Sequence, residues 1–229
     1  MVNVLLEGYD IRAKWIYREL KNYIKPSHRV AVIAFSFRES RVKNISEWNA
    51  FYGTESGFYR SICRNFAAYG IEADRISFVN YFQDTRESAR YKIENADIIY
   101  FPSGLPDRMM ERIDEFGLQA SLARHQGMVM GCSAGALIQL SEYHLSPDHD
   151  YPTFCYCNGL GYVDGFYLEI HYEGSEVQKE SIRRILNERK SCVYATGLMK
   201  GAVLVNGKDV RLLGEVHTFH PLSKELRET

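Results

Sequence analysis

The sequence carries almost no net charge, no long apolar run and no paired cysteine pattern, and each lack excludes something. Its 28 basic and 29 acidic side chains leave a formal charge of −1, so it offers no broad electrostatic footprint to a polyanion or an anionic lipid surface. Neither nucleic acid nor a membrane is expected as a partner. The opening Met-Val-Asn-Val-Leu-Leu-Glu-Gly lacks the basic n-region and the apolar stretch of about 7–15 residues of a secretory signal. No run approaches the roughly 18 apolar residues of a membrane span. The five cysteines, Cys63, Cys132, Cys155, Cys157 and Cys192, are odd in number and scattered, which does not make a disulfide framework and suits a reducing compartment. A cytoplasmic protein is the expectation. Cys155-Tyr156-Cys157 is the one suggestive pair, but with His144 and His149 it lacks a zinc spacing, so neither a metal nor a cofactor is expected.

What is present is ordinary globular composition, with 45% hydrophobic and 25% charged residues over 229 positions, enough for a single domain spanning residues 1–229. Internal repeats, low-complexity tracts and linkers are absent. Short apolar runs alternate with segments of helical period, the pattern of a layered βαβ fold with a mostly parallel sheet. Val2 to Leu6, Arg29 to Phe35, Ala73 to Val79, Asp97 to Phe101 and Gly127 to Gly131 read as strands. Ile16, Leu20, Tyr23 and Ile24 share one helical face, as do Phe58, Ile62, Phe66 and Tyr69, with Gly70 placed as a helix-ending glycine. Further helices are expected over Arg86–Asn95, from Pro106 onward, and over Val177–Glu188. Beyond Ser133 come a short helix to Leu140, a polar loop to Asp150, and strands at Tyr167–Tyr172, Cys192–Thr196 and Ala202–Val205. Asn206-Gly207 then marks a tight hairpin, which makes the C-terminal edge of the sheet antiparallel.

Gly131-Cys132-Ser133-Ala134-Gly135 fits Gly-x-Ser-x-Gly, the turn that lifts a nucleophile between a buried strand and a helix. Such a turn holds its central residue in a strained backbone conformation, and side chains two positions away on either side would collide, hence the glycines. Ser133, not Cys132, occupies the apex, and the Ala134 N–H is the first candidate oxyanion donor. Tight packing alone would also explain the glycines, but the flanking Met128-Val129-Met130 and Ala136-Leu137-Ile138 supply the required strand and helix.

Of seven histidines, His171 ends a strand, where parallel α/β folds assemble their sites, and is the candidate base. Glu169 lies two residues earlier and shares a strand face with it; Asp148 and Asp150 are rival orienting acids.

These residues resemble the serine peptidases related to dipeptidase E and cyanophycinase, whose fold is that of class I glutamine amidotransferase domains. The resemblance rests on Gly131-Cys132-Ser133-Ala134-Gly135-Ala136, on the loop after Asp97–Phe101, and on His171-Tyr172. It implies a three-layer α/β/α sandwich with a Ser133 nucleophile and a His171 base, and hydrolysis of a short peptide or amide by a monomer or homodimer. Asp150, followed by Tyr151-Pro152, looks like the acid assigned as the third triad member, and Gly104 stands where an oxyanion-loop glycine stands. The chain departs from the pattern at Ser103-Gly104-Leu105, where the family has Gly-Gly-Asn. It departs again at Gly197-Leu198-Met199-Lys200-Gly201, where dipeptidase E has a glutamate at the Lys200 position. The arginine segment associated with an N-terminal aspartate has only Gln178-Lys179 nearby, so strict Asp-X specificity is not implied.

Two other readings use the same residues. A relative that binds a peptide without turning it over would suit the altered Ser103–Leu105 loop and Lys200. A glutamine amidotransferase domain would need a cysteine at the apex.

Overall fold

The computed structural model describes residues 1–221; of the 1–229 span expected as one domain, residues 222–229 lie outside the described residues. The chain runs β1 (Val2–Leu6), α1 (Lys14–Leu20), β2 (Val30–Ile33), α2 (Ile45–Tyr52), α3 (Gly57–Ala67) and β3 (Ile76–Val79). It continues through α4 (Arg86–Glu94), β4 (Ile98–Phe101), α5 (Pro106–Glu115), α6 (Gln119–Arg124), β5 (Met128–Cys132) and α7 (Ala134–Leu137). Then follow β6 (Glu142–Leu145), β7 (Cys155–Asn158), β8 (Phe166–Glu169), α8 (Glu176–Glu188), β9 (Cys192–Asn206) and β10 (Asp209–Phe219).

Five strands pair in parallel in the order β3-β2-β4-β5-β1, and β9 then β10 extend the sheet antiparallel beyond β1. The strand periodicity of two decides the layers. Val4 and Leu6 join the helix residues Ile16, Leu20, Ile62 and Phe66 on one face. Leu5, Ile99 and Val129 pack on the other with Ala89, Ile93, Met109 and Ile113. Both faces are thus covered by helices, which is why β2, β4 and β5 are buried along their whole length and read as unbroken apolar runs. Each such fully buried Ile, Leu or Val contributes roughly 1.5–3 kcal/mol.

The C-terminal part differs from expectation in four ways, the first being that β8 spans Phe166–Glu169 and not Tyr167–Tyr172. The stretch foreseen as a polar loop contains β6, which pairs antiparallel with β7; its Glu-Tyr-His-Leu alternation is half polar because His144 has a buried partner. Cys192–Thr196 and Ala202–Val205 are not separate strands but the two ends of one long β9. The hairpin loop is Gly207-Lys208, since Asn206 still pairs with Asp209, and Gly207 takes the positive φ of +60°.

The length of β9 has a functional result. Its first part pairs in parallel with β8, and its last part pairs antiparallel with β1. Strands β1 and β8 therefore run toward each other along β9, and their C-terminal ends meet across Thr196–Gly201. Backbone N–H groups of Tyr172 and Glu7 cap this junction by donating to Thr196 O at 2.8 Å and Gly201 O at 2.9 Å.

Candidate active site

Ser133 sits immediately after β5 with φ +53° and ψ −110°, a conformation that costs a non-glycine residue of order 1–3 kcal/mol. The surroundings enforce it. Ser133 N–H donates to Leu6 O at 2.9 Å, and Ser133 O accepts from the N–H groups of Ala136 and Leu137. A Cβ on Gly131 would lie 1.9 Å from Gly135 O, and one on Gly135 2.1 Å from Phe101 O, so no larger residue fits either position. Gln139, fully buried, ties the turn to β1 by donating to Val4 O and Gly135 O while accepting from Asn3.

Ser133 Oγ lies 2.8 Å from His171 Nε2. Across the ring, His171 Nδ1 lies 2.6 Å from Glu7 Oε1. A carboxylate only accepts, so Nδ1 carries the proton and the Nε2 lone pair of the neutral ring faces Ser133. Glu7 is the residue after β1, and its side chain is only 2% exposed while that of His171 is 52% exposed toward the cavity. Its second oxygen accepts from the His171 backbone N–H at 3.0 Å and from Thr196 Oγ1 at 2.8 Å. Three donors thus hold a buried carboxylate in place, as a buried charge requires. The Glu7 hydrogen bond raises the His171 pKa above its ordinary value, against burial, with smaller contributions from the charges of Asp148 and Glu169.

The other acids foreseen for this position are engaged elsewhere. Glu169 Oε2 accepts from His144 Nε2 at 2.6 Å and from Ser146 Oγ at 2.7 Å. It does not face His171, because β8 ends at Glu169 and His171 has φ +53°, which breaks strand alternation between them. Asp150 pairs with Arg38, and both line the cavity. Asp148 Oδ1 accepts the N–H groups of Asp150 and Tyr151, shaping their loop. The sequence motifs do not single out Glu7. Its one signal was position, a carboxylate at the C-terminal end of a parallel strand followed by Gly8, where such folds place their sites.

Cys132 points away from the cavity. It is 1% exposed, packs in the apolar layer with Ile16 and Leu20, and donates to Glu7 O at 3.3 Å; burial pushes its thiol pKa up, which keeps it un-ionised and unreactive.

Gly104 and Ala134 line the same cavity as Ser133 and His171, a space of about 460 Å³. Neither backbone N–H is taken by another described residue. Gly104 has φ +145°, and a Cβ there would lie 2.2 Å from Ser36 O, which explains why the glycine persists although its neighbours depart from Gly-Gly-Asn. The loop is fastened from three sides: Ser103 N–H donates to Tyr9 Oη at 3.0 Å, Ser36 Oγ donates to Ser103 O at 2.7 Å, and Leu105 N–H donates to Ser36 O at 2.8 Å. Lys200 is 61% exposed, with Glu215 3.9 Å away, and is not part of the cavity wall.

Among the described residues, no three His, Cys, Asp or Glu side chains gather as metal ligands, and no helix is long and apolar enough to cross a membrane. The Cys155 and Cys157 sulfurs lie 3.7 Å apart on β7, whereas His144 is bound to Glu169.

The sequence model of peptidase family S51 matches residues 50–213. Among solved structures the chain is similar to a protein described as a candidate peptidase E from Listeria monocytogenes EGD-e. The TM-score is 0.64 at 14% identity, covering 93% of this chain and 98% of that one. It is also similar to a peptidase from an acI-B1 Actinobacterium, with TM-score 0.65 at 15% identity, covering 96% and 91%. At these identities the structures speak to the fold. No curated protein matches the chain in sequence.

Proposed function

Because the chain belongs to peptidase family S51, a serine-type peptidase, we propose that Ser133, His171 and Glu7 carry its chemistry, with short peptides as substrate. The observation behind this reading is the continuous chain of hydrogen bonds from Ser133 Oγ through His171 to the buried Glu7.

Ser133 Oγ attacks the scissile carbonyl carbon while its proton passes to His171 Nε2. The carbonyl oxygen, now negative, is held by the N–H groups of Gly104 and Ala134. Helix α7 has only four residues, so these two amides act directly and not through a long dipole. His171 returns the proton to the leaving amine as the C–N bond breaks, leaving an acyl-enzyme on Ser133. Water then repeats the sequence: His171 takes its proton, the oxygen attacks the ester, and Ser133 leaves with the proton restored. Glu7 holds the Nδ1–H tautomer and stabilises the imidazolium formed in each half.

The triad and its support draw on distant parts of the chain, Glu7 and Thr196, held together by hydrogen bonds, which supports reading it as one catalytic unit. One copy supplies every residue named, so a monomer suffices and a homodimer is permitted. All five cysteines are free, which supports a reducing, cytoplasmic setting.

The altered loop that suggested a non-catalytic binder keeps the features catalysis needs, Gly104 and a fixed Ser103–Leu105 backbone. Incubating the protein with a library of dipeptides and tetrapeptides and reading products by mass spectrometry tests the function. Wild type should release fragments from some members and Ser133→Ala from none. A Ser133→Ala protein as active as wild type excludes the mechanism.

A further inference from the structure

Beside the catalytic cavity runs a second groove of about 610 Å³, whose walls include Pro147, Phe154, Val177 and Ser181. The two spaces are neighbours, with Pro147 lining both. Glu176, Glu180, Arg183 and Arg184 line the rest of the groove, and its apolar part is firm. Phe154 stacks on the buried His144 at 5.8 Å between ring centroids and 21° between planes, and the Arg184 guanidinium lies 4.5 Å from its ring centre. Val177 is 47% exposed, an apolar side chain presented to the groove. The charged lining residues are paired along the helix, Glu176 with Lys179, Glu180 with Arg183, and Arg184 with Glu188, which leaves Pro147, Phe154 and Val177 as the apolar surface the groove offers.

Its position relative to the chemistry follows from α8. Gln178 lines the catalytic cavity and donates from Nε2 to His171 O at 2.8 Å, whereas its neighbour Val177 faces the groove. A histidine that protonates the leaving amine must have the leaving segment on its own side, and here that side is where α8 begins. The groove residues Ser181 and Arg184 lie three and six positions beyond Gln178, about 5–9 Å along a helix rising 1.5 Å per residue. An extended peptide advances about 3.3 Å per residue, so these groove residues are reached about one to three substrate residues beyond the one that lies beside Gln178.

We propose that this groove is a leaving-side subsite for an apolar side chain, aromatic or branched aliphatic, two or three residues past the scissile bond, so that the protein prefers peptides longer than dipeptides. The proposal rests on the peptidase reading of the Ser133 site.

The test compares the tetrapeptides Ala-Ala-Phe-Phe and Ala-Ala-Ser-Ser with the dipeptide Ala-Ala, by kcat/KM on wild type and Val177→Asp and by calorimetric binding to Ser133→Ala with and without Val177→Asp. Val177 lies in the first turn of α8, where an acid suits the helix, so the variant keeps its fold. The Phe-tailed peptide should be cleaved and bound about tenfold better than the Ser-tailed one, as partial burial of one large apolar side chain implies. Val177→Asp should remove that preference and leave dipeptide turnover unchanged. Equal handling of the two tetrapeptides, or an equal loss on the dipeptide, overturns the proposal. If wild type cleaves none of the three, the peptidase reading is judged by the dipeptide and tetrapeptide library and not by these peptides. Calorimetry then decides the groove alone, with a tenfold preference lost in Val177→Asp supporting it and equal affinities overturning it.

Discussion

Replacing Glu7 by Gln removes one charge from a position where three donors converge. The imidazolium formed in the transition state lies with its charge centre about 4 Å from that of Glu7, an attraction of about 4 kcal/mol at an effective dielectric of 20. Half of the His171 side chain faces the open cavity, and solvent screening brings this to about 2 kcal/mol, roughly 30-fold in rate. A second loss adds to the first. The Gln amide can donate to Nδ1, which moves the proton to Nε2 and removes the lone pair that Ser133 needs; a wrong tautomer of this kind brings the total to about 10³–10⁴ in kcat. The pH profile gives an independent reading. The base works only when neutral, so kcat/KM falls as pH drops through the His171 pKa, which Glu7 holds above the ordinary value. Removing Glu7 moves this limb to lower pH while the plateau falls. The assay is kcat/KM on one cleaved peptide from pH 5 to 9 for wild type, Glu7→Gln and Asp150→Asn. Asp150→Asn breaks a partly exposed pair with Arg38 and should keep kcat within a few-fold. If Glu7→Gln stays within tenfold of wild type with an unmoved limb while Asp150→Asn loses three orders, the assignment of Glu7 is refuted.

Cys132→Ala should keep kcat within about threefold, and native protein should resist iodoacetamide at this position, because the thiol is buried and donates to Glu7 O; loss of activity would reopen the thiol chemistry of an amidotransferase. Tyr9→Phe removes the acceptor of the Ser103 N–H and loosens the Gly104 loop, so kcat should fall about tenfold, the low end of the loss for a disturbed oxyanion site, with KM little changed. Gly135→Ala forces a Cβ to 2.1 Å from Phe101 O, a clash with backbone that should cost about 3 kcal/mol or more, read as a lowered urea midpoint. Glu169→Gln leaves the Glu7–His171 contact intact and keeps an acceptor for His144 but removes its charge, so stability should fall by about 1 kcal/mol while the pH limb of kcat/KM moves slightly to lower pH, by less than in Glu7→Gln.

The parallel core was legible because strands buried on both faces show as unbroken apolar runs, and the elbow because Gly131 and Gly135 are sterically forced. Ser133 and His171 stood out as candidates because they lie just past the ends of β5 and β8. Glu7 could not be identified in the same way. It lies 164 positions before His171 and outside the stretch that the family model matches, and it reaches the ring only because β1 and β8 meet end to end along β9. Read as separate strands, the two ends of β9 gave no reason for that meeting. Glu169 misled through a rule that holds inside a strand and fails at its end, where the positive φ of His171 turns the ring away from its neighbour's face. β6 was hidden because a half-polar strand of four residues looks like a loop until the buried His144–Glu169 pair is seen.

The central claim is that Ser133 is a nucleophile activated by His171 and Glu7, and labelling with a fluorophosphonate followed by peptide mass spectrometry tests it most directly. The triad predicts one adduct, on Ser133, absent in Ser133→Ala and slowed by orders of magnitude in His171→Ala and Glu7→Gln. Folded wild-type protein that takes no label, or takes it at another residue, would contradict it.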